Sequence, residues 1–222
     1  MNLILASNSP RRRQLLALGG WDFNLLPVAV DEEPLSGENP QAYVLRLAVA
    51  KASSAAVHAG SDVVIIGSDT AVVDGGTILG KPVDEADAEH MLRHLRGRVH
   101  QVYTALAVVS KTDGMVLTDI CMTDVYMRDY SDSEMLAYIH SGDPQDKAGA
   151  YAIQHIDFHP VVNFQGCFAN VMGLPLCHLY RALRKWLFLL PVHPLNSCPL
   201  ATTRGCRWSR EIVAPPCMTE RP

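Results

Sequence analysis

The sequence predicts an α/β protein with a mixed, twisted sheet, and two observations support this prediction. Short apolar runs alternate with stretches of helical periodicity. Two long apolar stretches also flank Asp113-Gly114, a dipeptide typical of tight turns, and they predict an antiparallel hairpin within the sheet. With 48% hydrophobic residues in 222 positions, the chain can bury a full core, as one domain or as two lobes around a cleft.

The first half of the chain alternates predicted strands and helices. In order, the pattern predicts a strand at 3–6, a helix at 11–20, a strand at 24–30, a helix at about 40–58 and a buried strand at 62–70. The helix ends are marked by residues that suit them. Gly19-Gly20 stops the first helix, and Asn39 and Pro40 cap and open the second.

The second half contains the hairpin, two further helices and an extension. The pattern predicts a turn with a short strand within 73–82, helices at 84–95, 131–142 and 173–186, and hairpin strands at 100–110 and 115–127. From Leu187 prolines become frequent and periodicity is lost, so we divide the chain into a domain at 1–186 and a C-terminal extension at 187–222.

The extension contains three cysteines, Cys198, Cys206 and Cys217, that can be considered as metal ligands together with His193. Their spacing matches no zinc pattern, so a flexible or loosely docked extension is the preferred interpretation.

The composition argues against several classes of function. The formal net charge is −4, so we do not expect the broad cationic surface of a sequence-independent nucleic-acid binder. No apolar run reaches the roughly 18 residues of a membrane helix, and the N-terminal arginines follow the apolar stretch, the reverse of a signal peptide. We expect a cytoplasmic protein whose cysteines remain thiols, with Cys121, Cys167 and Cys177 in the core.

The segment ASNSPRRR places polar and cationic side chains at the start of a helix. Free N–H groups and the helix dipole attract anions there, and Arg11 and Arg12 add bidentate donors beside Ser7 and Ser9. In the alternative interpretation, Ser9 only caps the helix and the arginines are solvated. Three consecutive arginines oppose the dipole, however, which favours a compensating anion such as a triphosphate.

Lys51 falls on the apolar stripe of the long helix, seven residues after Val44. A lysine at such a position either extends its ammonium group to water or points into a cleft to bind negative charge.

Asp69 and Thr70 follow the apolar run VVIIGS, so we expect Asp69 just past the carboxyl end of a buried strand, where open α/β sheets bind ligands. A carboxylate there can act as a base or a metal ligand, whereas the alternative is an ordinary turn aspartate. Lys81 follows a glycine that permits close backbone approach, and is either a ligand in the cleft or an exposed loop lysine.

Two further candidates carry weaker signals. Glu32 lies in an acidic turn and, together with Asp69, can hold Mg²⁺, although acidic turns are common. Gln154 offers both a donor and an acceptor, as reading a nucleobase edge requires. The motifs GxSxG, HExxH and Walker A are missing from the sequence, and His155, His159 and His178 lack the carboxylate pattern of a metal site.

Over about residues 2–186 the sequence resembles the Maf family. Eight segments occur in the family's order and spacing, namely LASNSPRR, VDE, LAVAKA, GSDTAV, LGKP, GRVHQVYTA, SGDPQDKAGAYAIQ and NVMGLPL. The resemblance implies an inosine-triphosphatase-like fold of two lobes around a central cleft, a homodimer, and dependence on Mg²⁺ or Mn²⁺. It also implies hydrolysis of nucleoside triphosphates to monophosphate and pyrophosphate, with Asp69 as the proton acceptor.

Arg11, Thr70 and Gln154 match the subgroup of the family that prefers dTTP and UTP, although His155 stands where a glycine usually follows Ile-Gln. The residues that would then neutralise the triphosphate are Ser7, Ser9, Arg11, Arg12, Lys51 and Lys81. Two alternatives stay open: a modified nucleotide as substrate, either 7-methyl-GTP or a modified pyrimidine triphosphate, or a nucleotide-binding regulator of septum formation.

Overall fold

A computed structural model describes residues 2–186, 191–199 and 206–213, and it confirms the α/β architecture. The strands are β1 (Asn2–Leu5), β2 (Phe23–Leu25), β3 (Val63–Asp74), β4 (Thr77–Leu79), β5 (Val99–Ser110), β6 (Val116–Met127) and β7 (Val161–Gln165). The α-helices are α1 (Pro10–Ala17), α2 (Pro40–His58), α3 (Glu85–Leu95), α4 (Asp132–His140), α5 (Phe168–Val171), α6 (Leu176–Leu183), α7 (Pro194–Ser197) and α8 (Arg207–Val213). Short 3₁₀ helices span Asp143–Asp146, Ala148–Ala150 and Arg184–Trp186.

The seven strands form one mixed sheet in the order β2-β1-β3-β5-β6-β7, with β4 paired to β3. Parallel pairing occurs where β1 lies between β2 and β3, and the other strand pairs are antiparallel. The predicted hairpin is confirmed as β5 and β6, which pair from Val109 and Val116 at the turn to Val99 and Tyr126.

The prediction that Asp69 lies just past the end of a strand is wrong. Its parallel neighbour β1 stops at Leu5 opposite Ile66, but the long strand β5 continues to pair with β3 and places Asp69 opposite Ala105. Strand β3 therefore runs on to Asp74. Asp69 still lies beyond the carboxyl end of the parallel part of the sheet, which is where the ligand rule for α/β sheets applies.

Two edge strands also differ from the prediction. Strand β2 is shorter than expected because the chain leaves the sheet after Leu26 donates its N–H to Leu5, and Pro27 has no N–H to continue the ladder. Strand β7 was not predicted, because it is short and lies at the sheet edge with Val162 largely exposed, so its sequence lacks the alternation of a half-buried strand.

Three hydrophobic clusters surround the sheet. Leu3 and Leu5 of β1 face a cluster that includes residues of α1 and α6, while Ile4 faces a second cluster that includes α2. Helices α3 and α4 contribute to a third cluster with residues of β5 and β6. This arrangement agrees with the expected two lobes, one built on α1, α2 and α6 and the other on α3 and α4.

The described part of the extension contacts the domain. Cys198 is buried in the same cluster as Cys121, Cys167 and the α6 residues, and Val192 donates its N–H to Gly19 O at 3.2 Å. Cys121, Cys167 and Cys177 are buried, as predicted. Among described residues no group of three His, Cys, Asp or Glu side chains is placed to hold a metal, and Cys217 lies outside them. Within those same ranges, no helix combines the length and apolarity needed to cross a bilayer.

Candidate active site

Two adjoining cavities form a cleft at the ends of β1 and α1 and along β3. Their volumes are about 190 Å³ and about 530 Å³. Seven charged or polar residues line both: Ser9, Arg11, Arg12, Glu32, Lys51, Lys81 and Lys147. Asp69 and Thr70 line the smaller cavity, and Ser7 and Gln154 line the larger one. The fold thus brings every predicted site residue to one cleft, while their roles stay predictions.

The ammonium group of Lys51 lies between two carboxylates. Its Nζ is 2.6 Å from Asp69 Oδ1 and 2.6 Å from Glu32 Oε1. Lys51 projects from the buried face of α2, as its place on the apolar stripe allows, and points into the cleft instead of extending to water. Of its two partners, Asp69 is buried and Glu32 is half-exposed.

Close packing of α2 on β3 makes this contact reachable. Gly67 lies two residues before Asp69, and a Cβ atom there would be 2.2 Å from the Ala48 carbonyl oxygen of α2. Any side chain at this position would separate helix from strand. The glycine in the GSDT segment is therefore needed for Lys51 to reach Asp69.

The two carboxylates differ in their electrostatics. Burial raises the pKa of Asp69 above its ordinary value, and the charges of Lys51 and Arg12 offset only part of this effect. Burial opposes ionisation of Glu32 as well, but the hydrogen bond from Lys51, its charge and those of Lys81 and Arg12 together lower the pKa of that carboxyl. Burial thus favours the neutral form of Asp69, whereas the neighbouring cations favour the ionised form of Glu32.

Arg12 is fixed in the cleft by several hydrogen bonds. Its Nε donates to Gly173 O at 2.9 Å, its Nη2 to Thr70 Oγ1 at 3.0 Å and its Nη1 to Ser7 Oγ at 3.4 Å. Ser9 caps α1 by accepting from the Arg12 N–H. The capping interpretation of Ser9 is therefore correct, but it does not leave Arg12 merely solvated. A guanidinium held in this way is preorganised to bind an anion.

The family profile described as Maf-like protein matches residues 2–186. The chain belongs to the Maf family. A dTTP/UTP pyrophosphatase of Geotalea uraniireducens is 49% identical over 184 residues, which cover 83% of this chain and 94% of the relative. A dTTP/UTP pyrophosphatase of Hydrogenovibrio crunogenus is 42% identical over 184 residues, covering 82% and 95%.

Two solved structures align with most of this chain. A nucleoside-triphosphatase, dITP/XTP pyrophosphatase, from Mycobacterium abscessus aligns with 84% of this Maf chain and 95% of its own, with 18% identity and a TM-score of 0.40. A HAM1 protein from Coxiella burnetii aligns with 69% and 88%, with 14% identity and a TM-score of 0.42.

Lys147 is a cleft residue of this Maf protein that sequence reasoning missed. Its ammonium group contacts Asp146 Oδ1 at 2.6 Å and Asp143 Oδ1 at 3.1 Å, and its side chain is buried. Two residues later, Gly149 adopts a positive φ of 68° and donates its N–H to Gly80 O at 3.0 Å, which ties this loop to the one carrying Lys81. The segment DKAGAY was noted in the sequence, but nothing in its pattern singled out the lysine.

His100 and Tyr151 form a second missed pair behind the cleft wall. His100 is fully buried on β5, its Nε2 is 2.7 Å from the Tyr151 hydroxyl, and its Nδ1 has no partner. Burial lowers the pKa of His100 to about 4, so the ring is neutral near pH 7. The single hydrogen bond between the two side chains fixes the His100 ring against Tyr151.

Gln154 and Thr70 differ in how their side chains are engaged. Gln154 is exposed and lines the larger cavity, so its amide is available to a ligand. Thr70 Oγ1 accepts from Arg12 and lies 3.0 Å from Thr104 Oγ1, so its contacts lie within the protein. Thr70 and Gln154, two of the three residues that match the dTTP/UTP subgroup, thus line different cavities of the cleft.

Proposed function

We propose that this chain hydrolyses pyrimidine nucleoside triphosphates such as dTTP and UTP to the monophosphate and pyrophosphate, a house-cleaning activity. One observation carries the proposal: a buried carboxylate, Asp69, lies in a cleft that is lined by cationic side chains from four different segments. The names of the relatives above support the choice of substrates.

The cleft is suited to a triphosphate by its charge. Arg11, Arg12, Lys51 and Lys81 supply positive charge within one cleft of a chain whose formal net charge is −4. A local concentration of cations in an otherwise acidic protein binds a compact polyanion and not an extended one. Ser7 and Ser9 add hydroxyl groups at the start of α1, where the helix dipole also favours negative charge.

Asp69 is suited to act on water beside the α-phosphate. In the proposed step Asp69 accepts a proton from the water while the water oxygen bonds to the α-phosphorus. The bond from that phosphorus to the bridging oxygen breaks, and pyrophosphate leaves with its charge stabilised by the arginines and lysines. Burial raises the pKa of Asp69, which makes it a stronger base than an exposed aspartate. Positioning and charge neutralisation then supply most of the rate enhancement.

The residues present fit a divalent cation. One atom, Lys51 Nζ, contacts both Glu32 and Asp69, so the two carboxylates can share a single cation between them. Carboxylate oxygens are the hard ligands that Mg²⁺ and Mn²⁺ prefer, and phosphate oxygens commonly complete the coordination of such ions. When bound, the cation would neutralise phosphate charge and polarise the phosphate oxygens.

Three further properties belong to the proposal. Dependence on Mg²⁺ or Mn²⁺ and assembly as a homodimer are implied by the family resemblance. The cytoplasmic location expected from the sequence stays a prediction.

Phosphate release with a panel of triphosphates, coupled through an added pyrophosphatase, tests the function. The panel contains dTTP, UTP, a pyrimidine-modified UTP, 7-methyl-GTP and ATP, and Asp69→Asn serves as the inactive control. We expect dTTP or UTP to be cleaved best. Preference for 7-methyl-GTP would assign the chain to the other subgroup, and tight nucleotide binding without turnover would support the regulator of septum formation instead.

A further inference from the structure

The free cleft already contains a cation between its two carboxylates. The Lys51 ammonium is 2.6 Å from an oxygen of each, and its side chain is only 10% exposed. Two carboxylates that contact the same atom are close enough to repel each other, and one of them is buried where water cannot screen the repulsion. Without a cation in this position, the arrangement of Glu32 and Asp69 would be unfavourable.

We propose that Lys51 is an internal counter-ion that occupies the metal position in the free protein and leaves it for the phosphates when the divalent cation binds. The inference rests on the proposed function, because it takes the metal and the triphosphate as ligands of this cleft. Lys51 then pairs first with the two carboxylates and afterwards with the phosphates.

The ammonium group and a metal ion cannot occupy the position together. A divalent ion held by both Glu32 and Asp69 would need the space between their oxygens that the Lys51 ammonium group occupies. Repulsion between an ammonium group and a divalent ion at contact distance would then expel Lys51. Because Glu32 belongs to a half-exposed loop, its carboxylate can shift to bind the smaller ion.

The displaced lysine has a destination within reach. Lys51 lines both cavities, together with Arg11, Arg12 and Lys81, so its flexible side chain can turn toward a triphosphate without leaving the cleft. In the free protein these other cations would repel it from the same region. A triphosphate removes that repulsion and gives the ammonium group a new partner.

Metal and nucleotide therefore bind cooperatively. The metal releases Lys51 for the phosphates, and the phosphates compensate the lysine for the loss of its carboxylates. Such coupling is reciprocal, so the nucleotide must raise metal affinity by the factor by which the metal raises nucleotide affinity.

Direct titration with Mn²⁺, followed by electron paramagnetic resonance without nucleotide, tests the exchange. We expect Lys51→Met to bind Mn²⁺ about tenfold or more tightly than the wild type, the scale of one competing ionic contact. Lys81→Met is the matched control, because Lys81 acts on Glu32 through its charge and lines the same cavities. Its Mn²⁺ affinity should change by about threefold or less, since it removes long-range charge only. Equal or weaker Mn²⁺ binding by Lys51→Met, or no binding at all, overturns the proposal.

Labelling of the wild-type protein covers the case in which Lys51→Met does not fold. Saturating Mg²⁺ should increase acylation of Lys51 by an amine-reactive reagent several-fold, as measured by mass spectrometry, because the ammonium group is released to the cleft. Unchanged or slower labelling contradicts the exchange. These binding measurements are separable from the proposed function: an inactive wild-type protein would refute the latter and leave the Mn²⁺ comparison intact.

Discussion

Two buried lysines, Lys51 and Lys147, line the same cleft, and each contacts two carboxylates. Both side chains are only 10% exposed. Lys51 contacts Asp69, which is far away in sequence and 8% exposed, whereas Lys147 contacts Asp146, its chain neighbour, which is 72% exposed. Asp143, the other partner of Lys147, lies four residues before it.

The two lysines differ in how exposed their carboxylate partners are. A lysine that pairs with solvated carboxylates of its own loop stabilises only that loop, and water can replace the contact at little cost. A lysine whose partner is a buried strand residue connects two elements, and removing it leaves a charge that water cannot reach. Equal burial of two cations therefore does not imply equal importance, and the burial of the partner decides which contact matters.

The largest difference in kcat is expected between variants of Asp69 and Asp146. Asp69→Asn should lower kcat by about a hundredfold to ten-thousandfold, because it removes the base, while nucleotide binding stays largely intact. Asp146→Asn removes the exposed partner of Lys147 and should change kcat by about threefold or less. Steady-state kinetics measure both. Asp69 has no role as base if its variant keeps more than a tenth of wild-type kcat.

Replacing Lys51 should lower the stability of the protein more than replacing Lys147. We expect Lys51→Met to lower the free energy of unfolding by about 3 kcal/mol, since buried Asp69 loses its cation. Lys147→Met should cost about 1 kcal/mol or less, since Asp146 is 72% exposed and Asp143 is 34% exposed, so water can reach both carboxylates. Urea denaturation at pH 8 without metal measures both values. Equal losses would show that the burial of the partner does not control the contact.

Base selectivity tests the side of the cleft that carries Gln154. The wild type should cleave pyrimidine triphosphates at least about tenfold better than ATP. A wrong base leaves buried polar groups without hydrogen-bond partners, and each such group costs about 1 to 3 kcal/mol. Gln154→Ala should shrink that ratio in kcat/KM without weakening pyrophosphate binding equally. Gln14 lines the same cavity from α1, so Gln14→Ala is the matched control and should leave the ratio unchanged. Full pyrimidine preference in Gln154→Ala would remove this residue from base recognition.

Truncation after Trp186 should have the smallest effect on activity. All cleft residues precede the cut, so kcat/KM should stay within about threefold of the full chain. The melting temperature should fall, because Cys198 is buried against the domain and its removal exposes apolar surface. Loss of activity at a temperature where the truncated chain remains folded would show that the extension shapes the cleft.

Hydrophobic periodicity predicted the helices and strands that have a regular apolar pattern. The stripe on α2 placed Lys51 on a buried face, and the apolar hairpin predicted β5 and β6. The position of Asp69 was misjudged because a strand's end depends on the length of its partner, which local sequence does not contain. The Maf resemblance, and not periodicity, supplied the nucleotide substrate.

Residues outside periodic segments were harder to predict. Lys147 lies in a loop of 3₁₀ turns, and its contacts depend on a chain path that no spacing rule describes. His100 and Tyr151 are 51 positions apart in sequence and meet only because β5 passes behind the cleft. A buried histidine on an apolar strand was the signal that could have drawn attention to this pair.

The uninterrupted course of β3 has a further consequence. Asp69 lies inside a twelve-residue strand whose register with β5 runs from Val64 to Val73, so its main chain is held by the sheet and not by a loop. Amide hydrogen exchange at Asp69 should be among the slowest in the chain, since opening it requires the central sheet to separate. Motions during turnover are then expected in the loops around this strand, while the proposed base remains a fixed reference point against which the substrate is aligned.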